Sequence, residues 1–463
     1  MVKLNRIPQS AGLKCDMCIN EYAKLEYFNP SGSLKDRIAI RMITDAEEQG
    51  RLKPGCTIIE VSSGNTRIAL AMACAIKDYK CIIVMSERMS DERVLTLNVL
   101  GAKVIRTPNE AAPYAPNGFF SVAKRLNEEI PNSVILSQFD ASGNPLAHYD
   151  GTGQEILEQL DGHVDMVVIG TGTGGTITGV SQKLKEHYPN CIVVAVDPEG
   201  SLLAEPESLN KTNVTFYEVE GLGYILKPET LHRELIDRWI KTNDQMTFSM
   251  ARRLNREEGI LAGGSSGAVL AGALIAAKDL KAGQKCVVVL GDGIRNYMTR
   301  FVDDIWMEAR HFKEIQNEHQ HWWWNHTVAD ISFLPAKNIE LSTTCAEAIN
   351  ISKSNGSERF GVQNEDGKLV GVLTLKHLTK KIVTHNFCLM DPVWKAIHKI
   401  SLRQFQTAKT NTQLGWVARI LEKDDFVAIV DSFDCCIGFI THLELLSFIA
   451  KEASENDHVA NTE

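Results

Sequence analysis

A chain of 463 residues is long enough for about three domains. Apolar residues make up 44% and charged residues 23%, the usage of soluble globular proteins, which excludes disorder as the main state. Lys and Arg number 49 against 58 Asp and Glu, a net charge of −9 with no basic block, so nothing in the charge suits a nucleic-acid backbone.

Residues 1–18 hold no apolar targeting core, and runs such as Cys81-Ile82-Ile83-Val84-Met85 are far too short to span a bilayer. A cytoplasmic protein is expected, with neither membrane nor nucleic acid as partner. Cys15-Asp16-Met17-Cys18 has the spacing of a redox pair or half a zinc site, but no second Cys or His pair stands at zinc spacing, so no metal is expected. Eleven Cys in so long a chain suit reduced, buried thiols better than a disulfide framework.

From about residue 36 to 302, short apolar runs alternate with amphipathic stretches. Cys56–Val61, Lys80–Met85, Lys103–Arg106, Met166–Ile169, Cys191–Val196 and Cys286–Leu290 read as buried strands, and Ile68–Asp78 and Ile177–His187 as helices between them. That alternation predicts an α/β core with a parallel sheet covered on both faces. Four loops within it carry chemistry. Asn29-Pro30-Ser31-Gly32-Ser33-Leu34-Lys35 runs straight into a helix, and a partly desolvated amine there is a candidate Schiff-base former, although a surface Lys on a capped helix fits the same letters. Ser62-Ser63-Gly64-Asn65-Thr66 precedes the next helix and is either an anion site or an ordinary cap. Gly170-Thr171-Gly172-Thr173-Gly174-Gly175-Thr176 follows a strand and satisfies the dinucleotide fingerprint, with Asp197 at the end of the following strand as the acidic partner. Its small, hydroxyl-rich start also suits a single phosphate, a reading that leaves roles for Lys35 and Ser265. Gly263-Gly264-Ser265-Ser266-Gly267 opens an apolar helix, where the Ser hydroxyl is a neutral partner for a heteroaromatic nitrogen and the glycines also serve close packing.

Residues 303–325 are charged and His-rich and end in Trp322-Trp323-Trp324, a connector whose aromatic residues anchor it to a domain. Beyond it the chain repeats at an offset of 67 residues: Phe360-Gly361-Val362 through Leu369–Thr374 lies ungapped over Val427-Ala428-Ile429 through Cys436–Thr441. Each copy reads strand, turn, strand, then a Thr leading a helix, and two copies suit a pair packed on itself rather than a solenoid. Residues 454–463 are polar and read as a flexible tail.

Taken together and in this order, the four loops resemble the pyridoxal phosphate enzymes of the tryptophan synthase β family, fold type II, and within it the cystathionine β-synthases. Narrower marks are Asn144-Pro145-Leu146-Ala147-His148-Tyr149, Val196–Ser201, Glu218–Tyr224 and Arg295-Asn296-Tyr297. The repeat resembles the paired CBS domains that follow this enzyme's core. The resemblance implies a two-lobed parallel-sheet catalytic core (residues 1–302), a linker (303–327), a tandem CBS-domain (Bateman) regulatory module (328–453) and the tail. It implies that Lys35 holds pyridoxal 5′-phosphate, that Asn65 meets its phenolic oxygen, that Gly172, Thr173, Gly174, Gly175 and Thr176 cradle its phosphate, and that Ser265 faces its ring nitrogen. Ser63, Gly64 and Thr66 would take the substrate carboxylate. The implied reaction is β-replacement joining L-serine to L-homocysteine, with L-cysteine as a source of hydrogen sulfide, in a homodimer. Thr441 and Glu444 mark the implied place of S-adenosylmethionine or another adenosyl ligand, with Glu where the family carries Asp. A catalytically impaired homologue that senses ligands through the repeat, or a cysteine-synthase-like enzyme, is the alternative.

Four departures matter. The family carries Gly where this chain has Arg67, close to the cofactor, where burying a guanidinium without a partner costs several kcal/mol and would impair activity; the alternative is that Arg67 points to solvent or pairs with a substrate carboxylate. Gly291-Asp292-Gly293 departs from the family's Pro-Asp-Ser and is expected to loosen that loop. The haem-ligating Cys and His of animal relatives would precede Met1, so no haem is expected. Ile19–Tyr22 reads as a short insertion before the Lys loop.

Overall fold

The structure is a computed structural model, and it describes the chain except residues 3, 14–22, 63, 87–90, 109–110, 316, 318–320, 385–387, 401–403 and 461–463. Cys15, Cys18, Ile19–Tyr22 and Ser63 therefore lie outside the described residues. The chain divides into two compact units, Met1–Met298 and Thr299–Glu463, four residues ahead of the boundary expected from the sequence.

The N-terminal unit has strands β1 (Ala23–Leu25), β2 (Thr57–Val61), β3 (Lys80–Ser86), β4 (Lys103–Thr107), β5 (Ser133–Ile135), β6 (Met166–Gly170), β7 (Ile192–Pro198), β8 (Arg238–Thr242) and β9 (Cys286–Leu290). They form two sheets, β4-β3-β2-β5 and β1-β9-β6-β7-β8, with every pairing parallel. The helices that matter for the site are α1 (Lys35–Glu48), α2 (Thr66–Lys77), α3 (Phe119–Glu129), α4 (Gly143–Ala147), α5 (Gly175–His187), α6 (Asp244–Glu258) and α7 (Gly264–Ala276).

Parallel strands covered on both faces have to be apolar on both, and these are. In the first sheet Ile58, Ile83 and Met85 meet Ile38, Met42 and Ile43 of α1 and Leu70 of α2. The alternate residues Ile59, Ile82 and Val84 face the other way, onto Val122 and Ala123 of α3. In the second sheet Val167, Ile169, Val193 and Val289 pack on Ile177, Val180 and Leu184 of α5. Helix α7 is apolar around nearly its whole circumference and is buried accordingly. It lies close to α6 because a Cβ on Gly267 would stand 2.2 Å from the Thr247 carbonyl oxygen.

In the C-terminal unit the strands are β10 (Leu334–Pro335), β11 (Lys337–Glu340), β12 (Arg359–Gln363), β13 (Leu369–Thr374), β14 (His398–Lys399), β15 (Thr407–Ala408), β16 (Val427–Val430) and β17 (Cys436–Ile440). The two copies of the repeat are the hairpins β12–β13 and β16–β17, each followed by a helix, Leu375–Thr384 and His442–Ala460. Both hairpins shift register at equivalent places, Val362/Gln363 and Ile429/Val430. The sheets run β11-β12-β13-β14 and β10-β17-β16-β15. Thus β14, which leads into the second copy, completes the first sheet, while β10, which leads into the first copy, completes the second. Leu369 and Val372 share a core with Phe426, Ala428 and Phe439, so the copies bury their apolar faces on each other.

The segment before β10 belongs to this unit. Trp324 is buried, and its ring fills the space left by Gly415, where a Cβ would come within 2.4 Å of the indole. The Gly415 amide donates to the Trp324 carbonyl at 2.9 Å, while Trp322 stays exposed. The nine described cysteines are free thiols, seven of them buried. Among the described residues no helix is long and apolar enough to cross a membrane, and no cluster of His, Cys, Asp and Glu is able to hold a metal ion.

Candidate active site

A cleft opens at the carboxyl ends of β6 and β9, where open parallel sheets bind ligands. Its lining brings together Lys35, Asn65, Gly172, Thr173, Gly174, Thr176 and Ser265 from all four loops, with Gly291 and Asp292 added.

Lys35 is the first residue of α1, and the loop before it is pinned down. The Asp36 carboxylate accepts from the Ser31 amide at 2.8 Å and from the Ser31 hydroxyl. The Leu34 amide donates to the Gly291 carbonyl at 2.9 Å, and the Gly293 amide to the Gly32 carbonyl at 3.3 Å. The expectation that two glycines loosen residues 291–293 is corrected here. A Cβ on Gly291 would lie 2.9 Å from Leu34, so Gly admits the Lys loop to close backbone contact. Lys35 keeps some accessible surface because it stands in the open cleft, yet protein surrounds it. Lost hydration lowers its ammonium pKa to about 8, with the nearby Asp292 charge opposing the shift.

The Gly-rich loop runs from β6 into α5 with no room for side chains. Gly174 takes a left-handed backbone (φ +86), and a Cβ there would strike Leu231 at 2.4 Å. A Cβ on Gly172 would lie 2.8 Å from the Gly221 carbonyl oxygen, and one on Gly175 only 2.0 Å from Asn144 Oδ1. What remains is backbone N–H, two Thr hydroxyls and the N-terminus of a 13-residue helix, a set that fits a phosphate ester. The nucleotide-fingerprint alternative fails at Asp197. Its carboxylate is fully buried, takes Lys241 Nζ at 2.7 Å and is 3.4 Å from the Thr171 hydroxyl, which leaves nothing for a ribose.

Around the lining stands a polar layer that the motifs did not reveal. The Asp292 carboxylate is buried and accepts from Asn65 Nδ2 at 2.8 Å and from the Tyr297 hydroxyl at 2.6 Å. His148 opens a π-helical turn, 148–153, and its ring nitrogens lie 3.1 Å from the Thr176 hydroxyl and 2.9 Å from the Thr152 hydroxyl. Burial, then the nearby Lys35 and Arg37 charges, hold that imidazole well below its ordinary pKa, so it is neutral. Asn144 Nδ2 donates to the Gln138 carbonyl at 2.7 Å and to the Thr173 hydroxyl at 3.0 Å. His148 and Asn144 sit in a segment the resemblance had marked, as does Tyr297, so a signal was present without a role attached.

Two expected positions need comment. Arg67 is only 1% exposed, so of the two expected placements it takes the buried one and not the solvent-facing one, and it is not part of the cleft lining. It is the second residue of α2 and one of that helix's buried residues. Thr441 and Glu444 begin the last helix, and the Glu444 carboxylate accepts from the Thr441 amide at 2.7 Å and from its hydroxyl at 2.5 Å, a capping arrangement.

Residues 1–292 match a family model described as pyridoxal-phosphate dependent enzyme. Over its full length the chain is 48% identical to cystathionine β-synthase of Apis mellifera, covering 91% of that protein. The chain belongs to the cystathionine β-synthase family. Identity to the Saccharomyces cerevisiae cystathionine β-synthase is 38% over 97% of this chain and 96% of that one. Among solved structures, a hydrogen sulfide-producing enzyme from Fusobacterium nucleatum aligns with a TM-score of 0.55 at 38% identity, covering 60% of this chain and 91% of that one. An O-ureido-L-serine synthase aligns at 0.57 and 36%, covering 61% and 88%. Like the cystathionine β-synthases, the protein is a pyridoxal phosphate-dependent lyase of fold type II, and its chemistry is β-replacement. The cleft fits that cofactor, since the closed glycine cradle suits its phosphate and an amine with a pKa near 8 suits its carbonyl.

Proposed function

We propose that the protein condenses L-serine with L-homocysteine to cystathionine, and that L-cysteine in place of serine releases hydrogen sulfide. The observation that carries this reading is the convergence of Lys35, Asn65, the Gly172–Thr176 loop and Ser265 on one cleft. Lys35 Nζ would hold the cofactor covalently, Gly172, Thr173, Gly174, Gly175 and Thr176 would hold its phosphate, Asn65 would meet its phenolic oxygen, and the Ser265 hydroxyl would serve its ring nitrogen. When bound, the cofactor supplies an electron sink for charge developing at the substrate Cα. Ser63, Gly64 and Thr66 orient the amino acid by its carboxylate. Lys35 Nζ would be the base for the Cα proton, and in the cofactor-free protein its pKa near 8 leaves a usable fraction of free amine at neutral pH. Neutral His148 keeps the Thr176 hydroxyl oriented without adding charge beside Lys35.

The test is absorbance of the purified holoenzyme with L-serine and then L-homocysteine, together with product analysis. A serine-induced band that homocysteine reverses, with cystathionine formed, supports the reading. A cofactor band indifferent to serine overturns it. A second reading, a cofactor-binding chain impaired in catalysis, draws on the buried Arg67. Under the first reading Arg67→Gly removes a large buried side chain and destabilises the fold without raising turnover. A gain of orders of magnitude in turnover establishes the second.

The C-terminal unit is read as a tandem CBS-domain module, supported by its paired hairpins and shared core. An adenosyl ligand such as S-adenosylmethionine is placed at Thr441 and Glu444, where Glu444 Oε2 takes the Thr441 amide and hydroxyl and Oε1 takes neither. Calorimetric titration of the full chain, with Glu444→Gln as the comparison, tests that placement.

A further inference from the structure

The two ends of the proposed cofactor site are held by different sheets. Lys35 heads α1, whose body packs on the first sheet, while the Gly172–Thr176 loop runs from β6 of the second. Two residues after Lys35, the Arg37 guanidinium spans two carboxylates. It donates from Nε to Glu26 Oε2 at 2.7 Å and from Nη2 to Glu26 Oε1 at 3.0 Å. It also donates from Nη1 to Glu155 Oε1 at 2.7 Å and from Nη2 to Glu155 Oε2 at 2.8 Å. Glu26 is buried and opens the 3₁₀ turn after β1, which pairs with β9 in the second sheet. Glu155 lies in the helix Gln154–Gln159, directly after the π-helical turn that begins at His148. That turn lies against the guanidinium, since a Cβ on Gly151 would stand 3.0 Å from Arg37 Nη1. At the far end of the turn, His148 reaches the Thr176 hydroxyl of the cradle. Lys24 Nζ donates to Glu155 Oε2 at 2.5 Å, so two cations face two carboxylates. Against burial, the hydrogen bonds from Arg37 and Lys24 lower the Glu155 carboxyl to about 2, and it is ionised at neutral pH.

We propose that Arg37 is a positioning residue: by joining Glu26 and Glu155 it fixes how far Lys35 stands from the phosphate cradle, so that the cofactor's carbonyl and phosphate are gripped at once. This rests on the reading that Lys35 and the Gly172–Thr176 loop take those two groups. A ligand held at two points gains affinity only when the spacing between them matches its own. A lysine at position 37 would keep the charge but lack the planar fork that serves both carboxylates.

The experiment measures dissociation constants by absorbance for the full chain, stripped of cofactor and reloaded, with pyridoxal phosphate, pyridoxal and inorganic phosphate. Pyridoxal probes Lys35 alone, and inorganic phosphate, read by its competition with pyridoxal phosphate, probes the cradle alone. The variants are Arg37→Lys and Glu155→Gln, with Arg41→Lys as the control. Arg41 lies one turn further along α1 and meets Asp150 of the same π-helical turn at 2.6 Å, in a more exposed pair that contributes little. Arg37→Lys and Glu155→Gln are each expected to weaken pyridoxal phosphate about tenfold, the scale of one net hydrogen bond. Pyridoxal and inorganic phosphate stay within about twofold in both, as all three ligands do in Arg41→Lys. Unchanged pyridoxal phosphate affinity overturns the assignment. So does an equal weakening of all three ligands, which is the mark of general loosening, or an equal effect from Arg41→Lys. If Arg37→Lys fails to fold, Glu155→Gln decides alone. A wild-type chain that binds pyridoxal phosphate no tighter than pyridoxal is a distinct result, which overturns the reading of the cradle and this assignment with it.

Discussion

Gly175→Ala is a sharp test of the cradle's geometry. The added Cβ would lie 2.0 Å from Asn144 Oδ1 and 2.3 Å from its Cγ, distances no real contact permits. Asn144 has nowhere to go, since it is fully buried and its amide is held by the Gln138 carbonyl and the Thr173 hydroxyl. Forcing it aside costs about 1–3 kcal/mol of overpacking and about 1 kcal/mol for each of the two hydrogen bonds lost. The sum, about 3–5 kcal/mol, corresponds to a fall in the N-terminal unit's Tm of about 5–10 °C. Gly64→Ala is the control, because a Cβ there meets nothing within 4 Å and the backbone is not left-handed. Thermal unfolding of both variants followed by circular dichroism, with cofactor content from absorbance, gives the comparison. Equal Tm values for the two, with cofactor content unchanged in Gly175→Ala, would refute the claim that this helix start is closed to side chains.

Lys35→Ala should abolish covalent retention of the cofactor, seen as loss of its visible band after dialysis, while the fold is kept. With a pKa near 8, Lys35 loses its proton as pH rises through 8, so the rate at which cofactor-free protein takes up pyridoxal phosphate should climb about tenfold between pH 7 and 9 and then level; a flat profile contradicts the lowered pKa. Asp197→Ala leaves the Lys241 ammonium with only the Pro198 and Ser201 carbonyls, a loss of about 3–5 kcal/mol by urea unfolding, and pairing it with Lys241→Met should recover much of that. Gly415→Ala drives a methyl into the Trp324 indole and should lower the C-terminal unit's unfolding midpoint while cofactor content stays the same.

Strands that lie inside a sheet were legible, because burial on both faces demands the unbroken apolar runs of β2, β3, β6, β7 and β9. The strands that escaped notice are short or polar and sit at edges. Ala23–Leu25, Ser133–Ile135 and Arg238-Trp239-Ile240-Lys241-Thr242 each end a sheet, where a polar strand is the usual protection. The cleft was legible for a related reason, since each of its loops joins a strand to a helix and has to carry Gly, Ser, Thr or Asn to make the turn. Glu60, Gln138 and Asp292 were not legible as a group, because the contacts that join them to the loops lie between 72 and 227 residues apart in the chain. Asp197 shows the opposite failure: its spacing matched a nucleotide site, and only the fold supplied the lysine that claims it.

The strands lent between the two hairpins of the C-terminal unit bear on how that unit comes into being. Leu334 and Pro335 find their partners only when Phe439 and Gly438 arrive, and β13 waits for His398 and Lys399. A nascent chain stalled after the first hairpin therefore holds one sheet lacking its last strand and one strand with no sheet. Closure of such distant pairs is slow, and it is rewarded only at the end. The unit should consequently melt and refold as one body rather than copy by copy, and a protease cut between the hairpins should release neither as a folded fragment.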